Sequence, residues 1–94
     1  MKTLIVEDKV YIRKGLLNLL ESIDSEVQLV GECESVKDAV VVANSFKPEL
    51  IFLDINLADG SGFDFLDQTE DLTFKVIFIT AYEEYALKAL KAGA

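Results

Sequence analysis

Leu50-Ile51-Phe52-Leu53-Asp54 decides the fold: four consecutive apolar residues run into a carboxylate, with Pro48 just upstream as a boundary. A short unbroken apolar run bounded by turn chemistry reads as a strand buried on both faces, the pattern of a parallel sheet. In an open parallel sheet the carboxyl ends of the strands open onto the ligand crevice. Asp54 is therefore expected at the floor of that crevice, facing it rather than buried.

The rest of the chain repeats the pattern. Residues 3–6 are apolar or β-branched and end in Glu7-Asp8; residues 75–80 read Lys-Val-Ile-Phe-Ile-Thr; residues 27–33 form a further strand, apolar at Val27, Leu29 and Val30. Between them lie helical stripes. Ile12, Leu16, Leu19, Leu20 and Ile23 fall on one face of a first helix, which tolerates Gly15, and a turn is expected over residues 22–25. Ser35 and Asp38 give an S-x-x-D start signal for a second helix with Val36, Ala39, Val40 and Ala43 inward, closed by Lys47-Pro48. Residues 58–62 read as a loop with two glycines, and residues 63–68 as a short helix carrying Phe63 and Leu66 inward. Ala86, Leu87 and Leu90 mark a fourth helix. This strict alternation, β-α four times over, predicts one α/β domain over residues 1–94: a parallel sheet with helices on both faces, joined by right-handed crossovers.

Composition narrows the function. A net charge of -8 and a pI near 4.3 argue against nucleic-acid binding by this segment and against adhesion to anionic membranes. The single cysteine, Cys33, excludes an intrachain disulfide, and with no activating base beside it reads as structural in a reducing compartment. No apolar stretch reaches the roughly 18 residues of a membrane span, and residues 1–6 lack the pattern of a signal peptide. A cytoplasmic location is expected.

Three strands end in polar residues of one kind: Glu7-Asp8, Asp54 and Thr80, with Asn56 close behind. If these ends are neighbours, three carboxylates and a hydroxyl converge, and the carboxylates repel unless a cation joins them. A hard cation with oxygen ligands, Mg²⁺, resolves the repulsion and leaves places for phosphate oxygens. The competing structural reading is that Glu7 and Asp8 merely favour the dipole of the first helix, and that Thr80 is a β-branched strand end. The chain contains no histidine, which excludes a Ser-His or Cys-His acyl-transfer site. Carboxylates do act as nucleophiles toward phosphorus, and Thr80 is placed to donate a hydrogen bond to a phosphoryl oxygen.

Leu4-Ile5-Val6-Glu7-Asp8, then Ile51-Phe52-Leu53-Asp54-Ile55-Asn56, then Gly62, then Ile79-Thr80-Ala81 resembles the receiver domain of two-component response regulators from end to end. The resemblance implies a flavodoxin-like three-layer fold with sheet order 2-1-3-4. It implies that Asp54 accepts a phosphoryl group from the phosphohistidine of a sensor histidine kinase or from a phosphotransfer protein. Glu7, Asp8 and Asp54 would hold Mg²⁺ with the backbone carbonyl of Asn56. Thr80 would be the switch hydroxyl, and Ala81 the small residue beside the phosphoryl group. Residues 81–86 (Ala-Tyr-Glu-Glu-Tyr-Ala) are similar to receivers that precede LytTR-type DNA-binding domains.

Two departures stand out. Ala58 occupies a position where the family usually has proline, which is expected to loosen the loop after the acceptor. The chain also ends at Ala94, where the family continues into a fifth strand and helix, about 25 residues more on the flavodoxin-like plan. That part would bring the lysine that pairs with phosphate, a role neither Lys88 nor Lys91 fills, and the aromatic partner of the threonine switch. Without a fifth strand, residues 76–79 are expected to form a bare apolar edge, favouring a homodimer through the fourth strand and fourth helix. The alternative function is therefore a phosphorylation-incompetent receiver fragment serving as an interaction domain. An aspartyl phosphatase is disfavoured, because Asn56 stands where its general acid would be, and a turnover enzyme is not expected.

Overall fold

A computed structural model of the chain describes residues 1–23, 27–69 and 73–79. The elements run β1 (Lys2–Val6), α1 (Val10–Ile23), β2 (Gln28–Cys33), α2 (Val36–Phe46), β3 (Leu50–Asp54), β4 (Asn56–Leu57), β5 (Gly60–Ser61), α3 (Gly62–Gln68) and β6 (Lys75–Ile79). Four strands form a parallel sheet in the order β2-β1-β3-β6, the expected 2-1-3-4 arrangement with β6 as the fourth long strand. Residues 80–94, and with them the expected fourth helix, lie outside the described residues.

The period of two along each strand sorts the core into two layers. Ile5 and Phe52 join Ile12, Leu16 and Leu20 of α1 on one face. Leu4, Val6, Ile51 and Leu53 join Val36, Ala39 and Ala43 of α2 and Phe65 of α3 on the other. Glu7, Asp8 and Asp54 follow at the carboxyl ends of β1 and β3. The parity of β2 is corrected by a register shift: Thr3 pairs with Leu29 but Leu4 with Gly31. The extra residue places Leu29 on the α1 face, whereas Val30 and Cys33 lie on the α2 face.

Several details depart from expectation. Helix α1 runs through Ser22, whose hydroxyl donates to the Leu19 carbonyl (2.8 Å), to Ile23, so the expected turn does not begin at Ser22, and its residues 24 and 25 lie outside the described residues; Ile23 is exposed rather than inward. In α3 the inward aromatic residue is Phe65, fully buried, while Phe63 is 56% exposed and meets Phe78 with ring centroids 5.4 Å apart. The reason lies in the start of the helix. A capping box at Ser61 and Asp64 begins α3 at Gly62, and Gly62 and Phe65, one turn apart, then share the buried face. Lys47 closes α2 in the left-handed conformation (φ 49°), its N–H donating to the Ala43 carbonyl, and Pro48 follows.

Candidate functional site

At the carboxyl end of the sheet β1 and β3 are adjacent, with Val6 paired to Leu53, so the residues that follow them converge. Glu7, Asp8 and Asp54 each place one carboxylate oxygen within 4.8 Å of the others. The sequence-predicted cluster is thus assembled. Asp54 is 2% exposed and Glu7 is 0% exposed, so Asp54 stands at the strand end as expected but is buried. The cause is local. Asp54 Oδ1 accepts from the Asn56 N–H (3.2 Å), and Gly62 packs against the Asp54 carbonyl so closely that a Cβ there would lie 2.7 Å from it.

Asp54 Oδ2 is buried and has no hydrogen-bond partner among the described residues. Burying a carboxylate oxygen unpaired is costly. An all-oxygen, carboxylate-rich set beside such an atom suits a hard cation of the Mg²⁺ kind. Asp8 Oδ1 has Lys9 Nζ at 3.6 Å, a partly exposed ion pair worth little. Asn56 is brought beside Asp54 through its N–H; Thr80 and Ala81 lie outside the described residues.

Two residues that sequence reasoning passed over organise the surroundings. Arg13, on α1, donates from Nη1 to the Glu7 carbonyl (2.8 Å) and lies 3.3 Å from Glu32 and 3.2 Å from Glu34 at the end of β2. It ties the ends of β1 and β2 together; the available signal was a cation beside the apolar stripe, one turn after Glu7-Asp8. Asp59 accepts from the Val36 N–H (2.8 Å) and the Lys37 N–H (3.1 Å), and these two bonds to the start of α2 hold its carboxyl below the usual carboxylate range. The loop at residues 58–62 is accordingly the antiparallel β4–β5 hairpin, tied at its tip despite Ala58.

This geometry defines a class: a doubly wound parallel α/β domain whose carboxyl-end site is a carboxylate cluster. The model of one family, the response regulator receiver domain, matches residues 3–94, and the chain belongs to that family. It is 36% identical over 96 residues to the sensory transduction protein LytT of Bacillus anthracis, covering all of this chain and 39% of that protein. The response regulator PhyR of Brucella abortus is 34% identical with a TM-score of 0.76, over 92% of this chain and 35% of that one. The response regulator domain of Thermotoga maritima CheB is 25% identical with a TM-score of 0.78, over 100% and 73%. The chain thus spans about two fifths of the length of the curated relative. Among the described residues no helix is long and apolar enough to cross a membrane.

Proposed function

We propose that this receiver domain accepts a phosphoryl group on Asp54, with Mg²⁺ held by Glu7, Asp8, Asp54 and the backbone carbonyl of Asn56. The observation that carries this reading is the three-carboxylate cluster, in which the buried Asp54 Oδ2 is left without a protein partner among the described residues. An Asp54 oxygen forms a bond to phosphorus while the phosphorus–nitrogen bond of a phosphohistidine donor breaks. The electron pair leaves with the imidazole, and the product is an acyl phosphate on Asp54. When bound, the cation neutralises the charge of the carboxylates and the incoming phosphoryl oxygens. Protein residues supply position: Asn56 holds Oδ1, and Gly62 fixes the Asp54 backbone.

The donor is a sensor histidine kinase or a phosphotransfer protein. Thr80 donates its hydroxyl to the phosphoryl group and Ala81 leaves room for it, a part of the proposal that rests on the family resemblance. The domain works as a cytoplasmic switch of partner binding and not as a turnover enzyme. The exposed Ile77 on β6 supports self-association through that strand.

Incubation with acetyl phosphate, with and without Mg²⁺, tests the reading by intact mass. A gain of about 80 Da that requires Mg²⁺ and is lost in Asp54→Asn is the expected result. No gain in a folded chain that still binds Mg²⁺ contradicts it and favours the interaction-domain alternative.

A further inference from the structure

Asp59 is exposed and outside the carboxylate cluster, yet its carboxylate accepts from two N–H groups at the start of α2, more than twenty residues away in the chain. We propose that Asp59 is a positioning residue for Asp54: by docking the β4–β5 hairpin on the start of α2, it holds the Asn56 N–H on Asp54 Oδ1.

The connection is short. Helix α2 is fixed on the sheet by Val36, Ala39 and Ala43, all buried. The first two N–H groups of α2, those of Val36 and Lys37, receive one oxygen each of the Asp59 carboxylate. Asp59 lies at the tip of the hairpin, between the paired residues Leu57 and Gly60, and the next pair down is Asn56 and Ser61. Asn56 then donates to Asp54 Oδ1. At the root, the Gly62 N–H donates to the Ile55 carbonyl (2.8 Å), and Ser61 and Asp64 cap α3.

A two-stranded hairpin of this length has little stability alone; buried Leu57 and the root bond hold it from below, and the Asp59 bonds add the hold at the tip that limits the swing of Asn56. A bidentate carboxylate on two unsatisfied helix N–H groups is a strong anchor for an exposed site. Sequence reading sees only a loop with two glycines at residues 58–62, because the partner N–H groups lie more than twenty residues away.

The consequence for phosphoryl chemistry rests on the reading of Asp54 as acceptor; the clamp itself does not. Amide hydrogen exchange on the metal-free chain separates the two. In Asp59→Ala the Asn56 amide is expected to exchange about tenfold faster, while the amides of Ile5 and Phe52 in the core strands keep their protection. Asp59→Asn, which retains one acceptor oxygen, should fall between. Unchanged exchange at Asn56, or acceleration matched by Ile5 and Phe52, overturns the clamp, since the second pattern is general destabilisation. A parallel Mg²⁺ titration by calorimetry is expected to show affinity falling about threefold or more in Asp59→Ala, as for other residues that orient a ligand without touching the metal. Equal affinity in both chains overturns the link to the pocket. Absence of Mg²⁺ binding in the parent chain refutes the cation reading, with the exchange result still deciding the clamp.

Discussion

A carboxylate that is to hold a cation and attack phosphorus must keep part of its lone-pair capacity out of the fold, and Asp54 does this by dividing its oxygens. Oδ1 is engaged by the Asn56 N–H, while Oδ2 has no hydrogen-bond partner among the described residues. Asp8 is partly exposed, and on the proposed reading it is the ligand through which the cation would meet water. Removing its charge in Asp8→Asn should weaken Mg²⁺ binding at least about tenfold, measured by calorimetry, with little loss of stability. Retained affinity would remove Asp8 from the metal site. Cys33 shows the opposite design. Burial, with Asp38 nearby, pushes its thiol up to about 11, outweighing the opposing pull of Arg13. At pH 7 to 8 it should resist Ellman's reagent in the native chain and react at once in denaturant. The cluster of Glu7, Asp8 and Asp54 was legible in the sequence because each residue ends a strand, and strand ends are found from local apolar runs. Arg13 and Asp59 were not, because their partners are distant in sequence and nothing local marks them.

Elements are held by their ends here, and the ends carry sharper consequences than the middles. Helix α2 has Ser35 and Asp59 at its start and Lys47 at its close. Lys47 occupies the left-handed region that favours glycine, so Lys47→Gly should stabilise or leave unchanged the folded state, by up to about 1 kcal/mol in urea denaturation. A clear loss would mean that the lysine side chain contributes there. The Asp59 bonds also set a pH dependence. Its carboxyl is lowered in the folded state, so its contribution is complete above the ordinary carboxylate value and is lost as pH falls through the folded one. Asp59→Ala should flatten that part of the acid limb of a stability profile, and an unchanged limb would contradict this. In α3, Phe65→Ala should cost about 3–5 kcal/mol and Phe63→Ala far less. Sequence periodicity picks the wrong phenylalanine because a helix of 7 residues is too short to fix its own phase. The capping box at Ser61 and Asp64 fixes it, and that signal was present in the sequence.

At the scale of the molecule, two apolar layers pack on a four-stranded sheet, and the three-carboxylate cluster found among the described residues lies at its carboxyl end. That polarity follows from strand direction: parallel strands bring their carboxyl ends together, so terminal carboxylates meet without further instruction. The same order puts β6 at an edge, where no strand pairs with its far side among the described residues and Ile77 is exposed. Sedimentation should therefore report self-association of the chain, weakened by Ile77→Lys, and a monomer at high concentration would contradict it. The sequence offers 17 acidic residues, and a mass gain alone does not choose among them. The direct measurement is reductive trapping with borohydride after acetyl phosphate treatment in Mg²⁺, followed by peptide mapping. Label confined to Asp54 is the predicted result. Label on any other carboxylate, or none in a chain that folds and binds Mg²⁺, would contradict the account.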